Sequence, residues 1–187
     1  MLTGAGLVVQ ALEDAGVEVA FGLPGVDNLA LWRALGDSPI RLVGVRHEQT
    51  AAYAADGYAR ASGKLGVALT TTGPGAANTL GAVGEAWASR SPILVIATDV
   101  PTTVRRPGVW RGALHETPDQ GAMFEPVVKR AIRASAAPAL GALVATSVAI
   151  TSSGERDAHA SPTAPSVLAA PGPVVVSATP SLPVARA

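Results

Sequence analysis

Glu48 is the opening charge of the segment HEQTAAYAADGYARASGK (47–64), in which a carboxylate is followed by alanines, two tyrosines and few solvating groups. Two chemistries suit that position. As an acid in a first helical turn, Glu48 gains about 0.3–1 kcal/mol from the helix dipole. The face it begins continues through Ala51, Ala52, Ala55, Ala59 and Ser62, whose small side chains let another backbone or a flat ligand come close. A carboxylate on such a face loses hydration, which favours its neutral form and suits it to share a proton near neutrality, as general acid–base work requires. Asp56 and Arg60, four residues apart, read as a solvated helical ion pair.

Two glycine-rich stretches carry the other candidate chemistry. Gly73, Pro74 and Gly75 form a tight, rigid turn of the kind that allows a ligand close to backbone. Gly22, Pro24 and Gly25 either turn the chain or do the same. GLPGVDN lacks the G-x-G-x-x-G spacing of dinucleotide sites, and no G-x-x-x-x-G-K-[ST] loop occurs.

A chain of 187 residues, 48% hydrophobic, can bury one sizeable core, so one domain is expected. The formal net charge is zero and there is no Lys/Arg run, which argues against nucleic acid or an anionic membrane as partner. The absence of cysteine excludes disulfide scaffolds and thiol catalysis. The first residues have no basic region and meet Glu13 and Asp14 early, so a signal peptide is not expected. The apolar run 137–150 is too short to span a bilayer. A soluble, cytoplasmic protein follows from these features.

Helical and strand patterns alternate. Leu7, Val8, Ala11, Leu12 and Ala15 recur at helical spacing before Gly16. A strand over 17–23 runs into GLPG, and Asp27 is placed to cap a helix carrying Leu31, Trp32 and Leu35 that stops at Gly36. Strands over 40–45, 66–71 and 93–97 alternate with helices over 47–63 and 78–90, with 71–78 as a turn. Strands separated by single helices, without hairpin signals, imply parallel βαβ units and a three-layer α/β/α fold with a mostly parallel sheet. Ligands in such folds bind at the carboxyl ends of strands, which here read GLPG, RHE, TTGPG and ATDVP.

VAFGLPG, RHEQTAAYAADGYARASGK, GVALTTTGPGAANTLGAVGEAW and PILVIATDVP, in this order and spacing, resemble the pyrimidine-binding N-terminal domain of thiamine diphosphate enzymes, in their acetolactate synthase-like branch. The likeness runs from about residue 8 to 133. It implies that Glu48 hydrogen-bonds N1′ of the cofactor's aminopyrimidine. That bond favours the tautomer whose 4′-nitrogen removes the thiazolium C2 proton. The cofactor can then attack a 2-oxo acid and accept the electrons released on decarboxylation. The resemblance also implies that the Glu48 helix packs against cofactor and a partner chain, and so carries small residues. It places Pro24 and Gly25 near the cofactor, and Gly73, Pro74, Gly75 and Asn78 where loop and helix approach the thiazolium. In 111–130, Leu114-His115 stands where the family often has Phe-Gln facing substrate. His115 is then a substrate contact or a surface histidine, and His47 orients the helix start.

The same resemblance implies a second α/β domain whose Gly-Asp-Gly motif and downstream Asn hold Mg²⁺ on the diphosphate. No Gly-Asp-Gly occurs in this chain, and Gly36-Asp37-Ser38 reads as a helix stop, so the metal is expected from a partner domain. Residues 1–150 are expected to form the domain, with the closing helix within 129–150. Residues 151–171, rich in Ala, Ser, Pro and Thr, are expected to be a linker. Residues 172–187 are expected to hold a remnant of the family's last strand. Three functions remain open. The chain is a truncated pyrimidine domain inactive alone, a subunit of a split 2-oxo acid decarboxylase, or a non-catalytic module pairing with a full-length relative. All three predict a homodimer or a hetero-complex.

Overall fold

In a computed structural model, residues 3–101, 112–134, 137–152 and 174–178 are described. Helix α1 (Gly4–Asp14) starts at Thr3, whose hydroxyl accepts from Gly6 N–H at 3.2 Å. There follow β1 (Val19–Gly22), α2 (Leu29–Gly36), β2 (Arg41–Gly44), α3 (Glu48–Ser62), β3 (Gly66–Thr70), the single turn α4 (Pro74–Ala77), α5 (Leu80–Ser89) and β4 (Ile93–Thr98). After the described 112–128 segment come β5 (Arg130–Ala134), α6 (Ala137–Ser152) and β6 (Val174–Ala178). The six strands form one sheet in the order β2-β1-β3-β4-β6-β5, and every pair is parallel.

Alternation along the central strands makes the three layers. Val67, Leu69, Leu94, Ile96, Val174 and Val176 face a core closed by Val8 and Leu12 of α1, Leu31 and Leu35 of α2, and Val144 of α6. Ala68, Ile93, Val95, Ala97 and Val175 face the opposite core, closed by α3, α5, Phe124 and Val128. Both faces are covered, so β3 and β4 are buried throughout and read as continuous apolar runs.

The alanine face of α3 has a different cause from the one expected. Ala51, Ala52, Ala55 and Ala59 are 0–2% exposed and pack on the sheet and α5 within the same chain. A Cβ added to Gly66 of β3 would overlap the Ala55 carbonyl oxygen. The small residues allow this close helix–strand approach, and they present no bare face to a partner. Asp56 is likewise not solvated. It is 4% exposed, and both its oxygens are held by Arg60, at 3.0 Å (Nε) and 2.7 Å, while Arg60 also reaches Glu85 of α5 at 3.5 Å. The hydrogen bond to Asp56 raises the Arg60 pKa above its ordinary value.

Other local expectations are also corrected. The start of α2 is organised by Asn28 rather than by Asp27. The Asn28 side chain accepts from Gly25 N–H at 2.8 Å and donates to Leu23 O at 3.0 Å, closing a short 3₁₀ turn, Val26–Asn28. The segment 71–78 contains the helical turn α4, and α5 begins at Leu80. Within 129–150, the first residues pair as β5 before α6 begins. Residues 174–178 enter the sheet between β4 and β5. Thr151 and Ser152, the first residues of the expected linker, belong to α6; the rest of that linker and the tail beyond 178 lie outside the described residues, as do 102–111. No helix among the described residues is long and apolar enough to cross a membrane.

Candidate functional site

Strands β1, β3 and β4 are neighbours, so their carboxyl ends bring the loops at 23–25, 71–75 and 99–101 side by side. Helix α3 begins beside them after β2. Its N-cap is His47, whose Nδ1 accepts from Gln49 N–H at 3.2 Å, the orienting role expected of it. Glu48 is the first residue of the helix and is 8% exposed. Its Oε2 accepts from Asn78 Nδ2 at 3.0 Å, the one hydrogen bond to this carboxylate among the described residues. A carboxylate has about four acceptor sites, so a nearly buried one with a single bond keeps acceptor capacity for a further donor.

The glycines of the two loops are required by loop-to-loop packing. A Cβ on Gly25 would lie 2.7 Å from Thr71 Cβ, and one on Gly75 would lie 2.6 Å from Thr71 Cγ2 and 3.2 Å from Glu48 Oε1. Thr71 is therefore wedged between the two turns, with Gly75 backbone against the Glu48 carboxylate. The Thr71 hydroxyl is buried with no hydrogen-bond partner. Pro24 and Pro74 are exposed on the same loops.

Gly73 has φ +59°, a conformation strained for other residues. A Cβ there would overlap the His115 carbonyl oxygen. His115, itself at φ +63°, thus lies over the Gly-Pro-Gly turn. Its Nδ1 is buried without a partner among the described residues, and Leu114 beside it is 62% exposed.

The structure accordingly brings together Gly25, Glu48, Gly75 and Asn78 around Thr71, with Gly73 and His115 adjoining. Sequence reasoning missed Thr71 and Gln120. Thr71 is one of three consecutive threonines at a strand end, all buried, and the pattern does not single out which hydroxyl is left without a partner. Gln120, 1% exposed, sits in a turn-rich segment that looks solvent-facing.

These residues fit an aminopyrimidine. Glu48 offers spare acceptor capacity to a ring N–H, and the buried Thr71 hydroxyl is an unmatched polar group on the same wall. Groups able to anchor a diphosphate through a metal are a separate matter. Among the described residues no cluster of three His, Cys, Asp or Glu could hold a metal ion.

Comparison with known proteins shows the family of the chain. Residues 2–123 match the model of the family "Thiamine pyrophosphate enzyme, N-terminal TPP binding domain". Over 149 residues the chain is 44% identical to a "Probable 2-ketoarginine decarboxylase" of Pseudomonas aeruginosa, covering 80% of this chain and 26% of that protein. It is 41% identical over 128 residues to a "Probable acetolactate synthase large subunit" of Methanocaldococcus jannaschii, covering 68% and 21%. It is 35% identical over 176 residues to the acetolactate synthase large subunit of Haemophilus influenzae, covering 94% and 27%. The chain spans about a quarter of the length of these curated relatives.

Proposed function

Since the chain belongs to the thiamine pyrophosphate enzymes, as an acetolactate synthase-like N-terminal TPP-binding domain, we propose that it forms the aminopyrimidine-holding wall of a 2-oxo acid decarboxylase or carboligase site. The family implies thiamine diphosphate as the cofactor. One observation carries the reading: a nearly buried carboxylate, Glu48, lies at the carboxyl end of a parallel sheet against glycine backbone and holds a single hydrogen bond among the described residues.

When bound, thiamine diphosphate supplies the electron sink for cleaving a 2-oxo acid. The work of this chain is proton placement. Glu48 accepts from and shares a proton with the pyrimidine N1′, and Asn78 holds the carboxylate in place through Oε2. Gly75 leaves room at Oε1, and the Gly25 and Gly75 loops close the wall around Thr71. His115, over Gly73, stands on the substrate side.

The diphosphate and its Mg²⁺ are held by a second α/β domain, because the chain contains no Gly-Asp-Gly motif. That domain lies outside residues 1–187, on a full-length relative or on the other half of a split decarboxylase. Alone, the chain binds thiamine diphosphate weakly and does not turn over. Tyr53 of α3 and Trp87 of α5, each 44% exposed, are the aromatic anchors offered to the partner.

The test is titration of the full chain with thiamine diphosphate and Mg²⁺, followed by amide NMR. Perturbations centred on Glu48, Gly75 and Asn78 are expected at millimolar cofactor. Perturbations elsewhere, or none, would remove the assignment. A sub-micromolar affinity by calorimetry would remove the need for a partner domain.

A further inference from the structure

Gln120 lies 42 residues from Asn78 in sequence, yet its side chain joins the end of β4 to the turn that supports Glu48. Its Oε1 accepts from Gly73 N–H at 2.6 Å, and its Nε2 donates to Thr98 O at 2.8 Å. A second, shorter link runs beside it, with the Thr72 hydroxyl donating to the Thr98 hydroxyl at 3.2 Å. Thr72, Thr98 and Gln120 are each 5% exposed or less. A buried amide with both ends satisfied is a directional strut, because losing either bond strands a polar group away from water.

The strut acts at the residue of the turn whose positive φ and close neighbour leave no room for a Cβ. Gly73, at φ +59° beneath the His115 carbonyl, sets the direction in which Pro74 starts α4. That direction places Gly75 against Glu48 Oε1 and brings Asn78 Nδ2 to Glu48 Oε2. The geometry points to Gln120 as a positioning residue: through Gly73 it sets where Gly75 and Asn78 meet the Glu48 carboxylate. The inference rests on the reading of Glu48 as the proton-sharing group. The segment 112–120, which supplies His115 to the substrate side, thereby also tunes the proton-sharing group from outside the cofactor wall.

The experiment uses the ligand-free full chain, so it is decided independently of cofactor binding. In the parent, the Gly73 amide should be protected from hydrogen exchange, and rapid exchange there would overturn the proposal. In Gln120→Met, which keeps the shape and removes both bonds, Gly73 exchange should accelerate about tenfold, equivalent to roughly 1.4 kcal/mol. The Gly75 and Glu48 amides and the Asn78 side-chain NH₂ should shift with it. Shifts confined to 112–124, with the Glu48 surroundings unchanged, would make Gln120 a local loop fastener and refute the inference.

Gln120→Glu gives an independent reading if the Met variant does not fold. A carboxylate keeps the acceptor for Gly73 N–H but loses the donor to Thr98 O until it is protonated. Acidification should therefore restore the parent Gly75 and Asn78 shifts, and a pH-independent spectrum would count against the strut. Failure of the functional reading looks different. There, the parent would show no cofactor-induced shift at Glu48, whatever Gln120 does in the free chain.

Discussion

Asn78 Nδ2 lies 3.0 Å from Glu48 Oε2 and ties the turn after β3 to the first turn of α3, across 30 residues of chain. The bond fixes one oxygen of the carboxylate and leaves the other beside Gly75. A merely dipole-stabilised acid at a helix start needs no such partner. Glu48 is held as a group with one committed and one available face.

In a complex with a diphosphate-holding domain, Glu48→Gln should keep the fold while slowing C2–H/D exchange of bound thiamine diphosphate by about 10²–10⁴-fold. Gln has the same shape but cannot share a proton with N1′. Proton NMR of the quenched cofactor measures the exchange. A helix-start role predicts a stability change under about 1 kcal/mol and parental exchange, and that result would make Glu48 structural.

Gly66→Ala should destabilise the chain by about 3 kcal/mol or more, because the added methyl meets the Ala55 carbonyl, which is backbone and has little room to move. Urea unfolding checks this. Gly57→Ala on α3, where an added Cβ meets nothing within 4 Å, should be neutral or slightly stabilising. Equal behaviour of the two variants would show that α3 does not sit so close to β3.

Lys64 Nζ lies 2.5 Å from Glu18 Oε1, and this hydrogen bond holds the Glu18 carboxyl below its ordinary range and the Lys64 ammonium above its own. A depressed carboxyl contributes stability that is present above its unfolded-state pKa and is lost as pH falls through the folded value. A raised ammonium contributes stability that is present below its unfolded-state pKa and is lost as pH rises through the folded value. Both groups are exposed, so the contribution is small and screened by salt. In Lys64→Met, the Glu18 titration midpoint followed by carboxyl NMR should move up. An unmoved midpoint would mean the pair does not persist in solution.

Tyr53→Arg combined with Trp87→Arg should leave the fold intact and shift the chain to a monomer, or release it from a diphosphate-domain partner, in light scattering. Both side chains are already 44% exposed, so the core loses little. A parent that is itself monodisperse and monomeric at high concentration would refute the aromatic anchors.

Alternating strand and helix periods were enough to determine a parallel, two-sided sheet, and the position of Glu48 at a helix start beside glycine-rich strand ends was equally legible. These are local properties, set by which residues recur on one side of an element and by where glycine or proline interrupts it. What buries each side is not local. The alanines of α3 looked suited to a ligand or partner, but Gly66, brought in by β3, is what they fit. Asp56 looked solvated, yet it is buried, and the Arg60 that pairs with it reaches on to Glu85 of α5. The entry of β6 between β4 and β5, and the reach of Gln120 from a polar-looking turn to Gly73, depend on pairings far apart in the chain. Spacing encodes a face, and only the packed sheet decides what that face meets.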